Sequence, residues 1–316
     1  MHRGERGFPP HFDGKRYFNP NAPQARGFLD VLRWKLTTRP ERSPSFIADV
    51  IPTVPPASVD DSQLRVTLVN HSTVLLQRRG ANILTDPIWS MRASPLTWAG
   101  PKRVRAPGVR WEDLPRIDVV LLSHNHYDHL DVVSLRELAE TGATQFVTAL
   151  GVGRVLRAHG INAVHELDWG DTVTTAGCTV HSVPALHFSA RTPFDRNRTL
   201  WCGFILESSS GPVYFAGDTA FGEHFAQIQE RHGAPCLALL PIGAYDPRWF
   251  MSAVHMGPED AIRAHQILRA TTSVAIHHGT FKLTDEGIDT PKRLLRERDA
   301  GESFVVLANG ESITIE

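Results

Sequence analysis

From about residue 64 onward, apolar residues fall in short blocks closed by glycine, proline or polar residues. "LRVTLVN", "TVLLQ" and "NILTD" open the series. "IDVVLLS" (117–123) is an unbroken apolar run of the kind that fills a strand buried on both faces. "QFVTA", "TVHSVPA", "WCGFILES", "PVYFAGD", "CLALLPI", "TSVAIHHG" and "SFVVLANGESITI" carry the pattern to the C-terminus. Helices are expected between these blocks over 132–140, 151–159, 223–232, 258–269 and 291–298, the first opened by Asp131 as N-cap. Strands interleaved with helices predict an α/β fold with sheet at its centre.

Residues 1–60 have a different texture, rich in proline, arginine and aromatics, and read as an N-terminal extension ahead of one main domain over 61–316. The extension holds one expected helix, "ARGFLDVLRWKLTTR" (25–39), stopped by Pro40. Phe28, Leu32 and Leu36 share one face of it and basic residues occupy the rest, so it either packs on the main domain or lies on an anionic membrane surface.

Composition narrows the function. Thirty-three Lys and Arg against 34 Asp and Glu leave a formal charge of −1, without the basic surplus of a nucleic-acid binder. Three scattered cysteines form no C-x-x-C pair and suggest neither a disulfide framework nor a thiolate metal site. Neither a signal peptide nor an apolar run of membrane-spanning length is visible, so a cytoplasmic protein with at most peripheral membrane contact is expected. Oligomeric state is left open.

Sixteen histidines are present, and their placement matters more than their number. His124, His126, Asp128 and His129 follow the 117–123 run; His187 follows "HSVPAL", Asp218 follows "VYFAG" and His277 follows "SVAI". Taken singly, His187 or His277 reads as an ordinary core histidine and Asp218 as a turn or cap residue. Together they are metal-ligand types gathered at strand ends, where loops project side chains without disturbing the core.

These motifs, "SHNHYDHLD", "HSVPALHFS", "FAGDTAF" and "AIHHGTF", resemble the metal-binding motifs of the metallo-β-lactamase superfamily. "GKRYFNP", "LTDPIWSMRASPLTWAGPKRVR" and "LLPIGAYDPRWFMSAVHMGPEDAIRAHQ" resemble a narrower group, the N-acyl-phosphatidylethanolamine-hydrolysing phospholipases D. The resemblance implies a four-layered αβ/βα sandwich with two metals at one edge. His124, His126 and His187 are then expected to hold one metal, Asp128, His129 and His277 the other, with Asp218 bridging. Imidazole and carboxylate ligands without thiolate suit Zn2+, and iron or manganese could use the same set.

The resemblance further implies a metal-dependent hydrolase that cleaves an N-acylated phosphatidylethanolamine with a metal-bridging hydroxide, giving N-acylethanolamine and phosphatidic acid. Asp128, Asp218 and His255 are its expected catalytic residues, His255 contacting substrate or protonating the leaving group. Asp86 is expected behind the ligands, and His71 and His278 either there or as plain structural histidines. The aromatic and apolar residues of the 25–39 helix, with Trp89, Trp98 and Trp249, read as core or as an acyl groove or interfacial patch, and Arg248 as a phosphate contact or a surface ion pair. A lactonase, β-lactamase or small-molecule phosphodiesterase on the same metals, or a metal-binding protein without turnover, stays open.

Overall fold

The computed structural model describes residues 8–24, 26–60, 63–78, 80–142, 144–208, 210–298 and 301–315. Two seven-stranded sheets form its centre. The first contains β1 (Leu64–Asn70), β2 (Thr73–Arg78), β3 (Ala81–Thr85), β4 (Val119–Leu122), β5 (Gln145–Ala149) and β6 (Val164–Leu167). The second contains β7 (Thr172–Thr175), β8 (Cys178–Val183), β9 (Gly203–Leu206), β10 (Val213–Phe215), β11 (Leu237–Pro241), β12 (Thr272–Ile276) and β13 (Phe304–Val305). β14 (Ser312–Ile315) crosses back to pair with β1, so the order is β14-β1-β2-β3-β4-β5-β6 facing β13-β12-β11-β10-β9-β8-β7.

Side-chain alternation assigns each face. Val213, Phe215, Leu237 and Leu239 enter the core between the sheets, while Tyr214, Ala216, Ala238 and Leu240 point outward against helices. Those helices are α4 (His224–His232), α6 (Pro258–Leu268) and α7 (Thr290–Glu297), which supply Phe225, Ile228, Ala261, Ala264, Leu268 and Leu295. α2 (Val132–Glu140) and α3 (Gly153–Ala158) send Leu135, Leu138 and Leu156 into the core of the first sheet. The layers are those of the αβ/βα sandwich.

Three local expectations need correction. "SFVVLANGESITI" is two strands in different sheets, split by the turn at Gly310, whose φ of 91° suits glycine. β6 and β7 carry no clean apolar pattern because they lie half-exposed at the sheet edge. Asp131 does sit at the N-cap of α2, but its carboxylate takes no backbone N–H of the helix. It accepts instead from Ser90 N and Oγ (3.1 and 2.8 Å) and from Ser134 Oγ (2.7 Å).

The N-terminal segment lies against the sandwich. Phe8, Tyr17 and Trp34 are buried, and His11 pairs with Asp168 at 2.7 Å. The expected helix is α1 (Phe28–Thr37), with Ala25 outside the described residues. It docks through Trp34, whose Nε1 donates to Asp285 (2.6 Å), whereas Leu32 and Leu36 face outward, 49% and 76% exposed. Among the described residues no helix is long and apolar enough to cross a membrane.

Phe204 in β9 is fully buried in the core between the sheets. Phe204→Ala is expected to cost about 3–5 kcal/mol, read as a lowered urea midpoint at unchanged slope; a shift below about 1 kcal/mol would contradict this packing.

Candidate metal centre

The strand directions bring the polar clusters to one edge. β3 and β4 run parallel, as do β10, β11 and β12, and β8 shares the direction of β10 through the antiparallel β9. Asp86, His124, His187, Asp218 and His277 therefore leave their strands on the same side, all of them buried.

Asp86 is the base of the arrangement. Fully inaccessible, its carboxylate accepts from Ser123 N (2.8 Å), Ser123 Oγ (2.6 Å) and His129 Nδ1 (2.6 Å). Burial pushes its pKa up, while His129 and Ser123 work to keep it ionised. With Nδ1 engaged, the His129 ring directs Nε2 inward, 3.5 Å from Asp128 Oδ2 and 3.2 Å from Asp218 Oδ2.

Two groups of donor atoms result. In one, His124 Nε2 is 2.8 Å from His126 Nδ1, which is 3.2 Å from His187 Nε2. His187 Nδ1 faces the Val254 carbonyl at 2.9 Å, which leaves Nε2 as the inward lone pair. In the other, Asp128, His129, His277 and His71 converge, with Asp128 Oδ2 3.4 Å from His277 Nε2 and 3.2 Å from His71 Nε2. Asp218 Oδ2 adjoins both groups, 3.8 Å from His187 Nε2 and 3.0 Å from His277 Nε2.

This packing gathers lone pairs and carboxylate charge in one buried place. Burial, with neighbouring imidazoles, pushes His126 to about 3 and His187 to about 4 and holds His124 well below its ordinary value, so all three present neutral rings. Burial also opposes charge on His129 and His277, yet the carboxylates of Asp218 and Asp128 lift His129 well above its ordinary value and His277 to about 9. Asp218 Oδ1, His129 Nε2, His277 Nε2 and His255 Nδ1 are buried without a hydrogen-bond partner. Orphaned lone pairs beside two buried carboxylates are costly as they stand and fit a cation.

Glycine makes the close approach possible. A Cβ on Gly243 would lie 2.1 Å from the His277 carbonyl, and one on Gly217 would lie 2.6 Å from Ser123 Cβ. His71, Asp86 and His277 have left-handed backbones (φ 47°, 33° and 58°), strained values that gather at this edge.

The neighbours differ in part from expectation. His71 comes directly against the ligands: Nε2 reaches Asp128, its N–H reaches Thr280 Oγ1 (3.0 Å), and its carbonyl accepts from His277 N (2.9 Å). His278 does not. The chain turns at the left-handed His277 (φ 58°), and the His278 ring lies beside Arg105 and Lys292, neither nitrogen finding a partner. Arg248 is ion-paired with Asp260 at 2.6 Å. Trp89 donates to Val109 in the core and Trp98 is 75% exposed, while Trp249 packs with Trp34, Phe250 and Met251.

Above the donor atoms opens a cavity of about 360 Å³, reached by His126, Asp128, Asp218 and His255. Trp34, Phe188, Phe250, Met251, Val254 and Leu283 make it largely apolar, and Arg26 and Arg196 add positive charge. These walls come from α1, the 188–196 loop and α5 (Arg248–Met251); the aromatic and apolar residues of α1 were expected as core or acyl groove, whereas Arg26, Phe188 and Arg196 were not singled out. Ser123 alone had a visible signal, a hydroxyl directly ahead of His124.

Residues 81–278 match the beta-lactamase superfamily domain, and the chain belongs to that superfamily as a metal-dependent hydrolase. Within it, the chain is 38% identical over 269 residues to an N-acyl-phosphatidylethanolamine-hydrolysing phospholipase D of Caenorhabditis elegans, covering 79% of this chain and 76% of that protein. An uncharacterised protein of Mycobacterium tuberculosis is 40% identical over 275 residues, covering 84% of this chain and 73% of the relative. The fold is also that of a metallo hydrolase from the archaeon Ignicoccus hospitalis, with a TM-score of 0.61 at 23% identity over 80% of this chain and 99% of the other.

Stripping the metal with a chelator is expected to lower the thermal midpoint, and restoring it at about 100 times its dissociation constant to return about 2.7 kcal/mol; an unmoved midpoint would contradict a cation-demanding core. Asp86→Asn is expected to weaken metal binding by about 10–100-fold in a competitive chelator titration, through loss of the brace on His129. Wild-type affinity in that variant would remove Asp86 from the account.

Proposed function

We propose that the chain is a binuclear, zinc-type phosphodiesterase that cleaves N-acyl-phosphatidylethanolamine-like phospholipids to N-acylethanolamine and phosphatidic acid. One observation carries this reading. The largely apolar cavity with two arginines opens onto the carboxylate and imidazole cluster, a match for a phosphodiester monoanion flanked by hydrocarbon. The 38% identity to the nematode phospholipase D supports the same substrate class.

In this reading His124, His126 and His187 hold one metal and Asp128, His129 and His277 the other, with Asp218 between them. The thiolate-free donor set supports zinc. When bound, the metals supply Lewis acidity and a water acidic enough to act as nucleophile near neutral pH. The chain's own residues do the rest. Asp218 Oδ1, without a partner, is free to accept a hydrogen bond from that water. Asp128 is kept in place by His71. Arg26 and Arg196 offset the charge of the phosphate, while Trp34, Phe188 and Phe250 exclude water from the acyl and glyceryl chains.

The water oxygen bonds to phosphorus and the bond from phosphorus to the ethanolamine oxygen breaks. That oxygen leaves with a proton as N-acylethanolamine, and the phosphate stays on the glyceryl side as phosphatidic acid. Burial holds His255 well below its ordinary pKa, so its ring meets the substrate as a neutral hydrogen-bonding group. We assign it to the departing oxygen rather than to an imidazolium acid. Leu29, Leu32 and Leu36 of α1 are exposed beside Arg33 and Lys35 at this end of the molecule, which supports contact with an anionic membrane surface.

Incubation with N-acyl-phosphatidylethanolamine vesicles is expected to release phosphatidic acid and N-acylethanolamine, with Asp218→Asn slower by roughly 10²-fold or more. Free fatty acid, or lactone hydrolysis without phospholipid cleavage, would overturn the substrate assignment. Replacing Leu29, Leu32 and Leu36 together with serine is expected to abolish co-sedimentation with anionic vesicles and to spare hydrolysis of a soluble aryl phosphodiester. Undiminished co-sedimentation would remove α1 from the membrane contact.

A further inference from the structure

The motif "GKRYFNP" (14–20) supplies no atom to the donor groups, yet it ends against one of them. Asp13 Oδ1 accepts from Lys15 N and Arg16 N, both at 2.7 Å, and Gly14 turns the chain with a φ of 97°. Phe18 N donates to the His11 carbonyl (2.9 Å) and closes the loop. His11 holds this loop on Asp168 at 2.7 Å, and Tyr17 N holds it on the Asn197 carbonyl at 2.8 Å. Tyr17 is buried in the core between the sheets, and Asn19, two residues on, is carried inward to 2% exposure.

The Asn19 side chain divides between two buried partners. Its Nδ2 donates to the main-chain carbonyl of His187 (2.9 Å), and its Oδ1 accepts from Trp201 Nε1 (3.1 Å). A carbonyl only accepts and an indole N–H only donates, so the amide has a single orientation. His187 lies four residues beyond the end of β8, outside both sheet ladders, and the strands do not set its place. Val254 fixes its ring through Nδ1 and Asn19 fixes its main chain. On either side, Leu186 N donates to Thr219 Oγ1 (2.9 Å) and Asn197 N to the Ser189 carbonyl (2.8 Å). Removing the amide leaves the carbonyl of a buried residue without its donor and frees the backbone from which Nε2 is aimed.

We propose that Asn19 is a positioning residue of the metal centre, through which the N-terminal arm sets where His187 Nε2 points. The inference rests on the reading that His187 holds a metal. Asn19 acts through the His187 backbone alone. Metal ligands are held to distances within about 0.2 Å, so a small drift of this carbonyl is enough to detune the ring. Nε2 stands 3.2 Å from His126 Nδ1 and 3.8 Å from Asp218 Oδ2, and only the group containing His124, His126 and His187 depends on it directly. The arm is thereby part of one metal site and leaves the other to Asp128, His129 and His277.

Competitive chelator titration of the full chain with zinc follows the two bound metals separately. Asn19→Leu, close in size and without hydrogen bonds, is expected to weaken one metal about tenfold and to leave the other at wild-type affinity. Asn19→Ala is held to the same expectation and serves where the leucine variant does not fold. Leu156→Ala, at a buried position of α3, is expected to lower the thermal midpoint and to leave both affinities unchanged, so lost stability alone does not give the pattern. His187→Ala, run beside them, is expected to lose the metal that Asn19→Leu weakens. Wild-type affinity for both metals in the Asn19 variants, with His187→Ala defective, would overturn the role of Asn19. Equal weakening of both metals in the Asn19 variants would overturn it as well. Wild-type binding in His187→Ala would overturn instead the ligand reading on which it rests.

Discussion

Two carboxylates and a ring of imidazoles buried at one edge of a sandwich are the constraint on which the rest of this structure depends. Asp128 and Asp218 sit, largely buried, among His71, His129, His187 and His277. Without a cation the cluster pulls protons onto His129 and His277. Much of the surrounding design holds those atoms in place against that cost. Asp86 clamps His129 and Ser123 in a single buried contact, Val254 fixes His187, and Gly217 and Gly243 let the loops approach closely enough for the donor atoms to meet.

The string from His124 to His129 was legible in the sequence because its chemistry is local, three histidines and an aspartate within six positions after an apolar strand. His187, Asp218 and His277 were legible once each was recognised as the residue beyond a strand, since parallel neighbours deliver their ends to one edge. His278 could be read either way from sequence: it follows His277 but lies away from the donor cluster, and only backbone geometry decides that. His71 was placed in the right neighbourhood, though nothing in "VNHST" tells that its carbonyl and its ring brace the same pair of ligands. Of the cavity walls only the apolar residues of the N-terminal helix were anticipated, because Arg26, Trp34, Phe188 and Arg196 meet only through the fold.

The N-terminal segment changes meaning in three dimensions. Its helix pattern alone suggested either packing or a membrane-facing stripe, and the packing contact falls to a residue outside that stripe. Trp34 turns inward to line the cavity and anchor on Asp285, while Leu29, Leu32 and Leu36 turn outward. The same segment contributes Pro20 and Pro23 to a separate cavity of about 220 Å³ with Trp169, Leu186 and Phe221. Removing this arm would therefore open both cavities, although none of its described residues belongs to either sheet.

The most direct test of the cation-demanding core is X-ray absorption at the edge of the bound metal in the purified protein. A first shell of nitrogen and oxygen at about 2.0–2.2 Å without sulfur, and a metal neighbour at about 3.5–4 Å, is the predicted result. All three cysteines are free and buried, and none belongs to the donor groups. A sulfur shell near 2.3 Å, or protein that retains activity with no metal bound, would contradict the account.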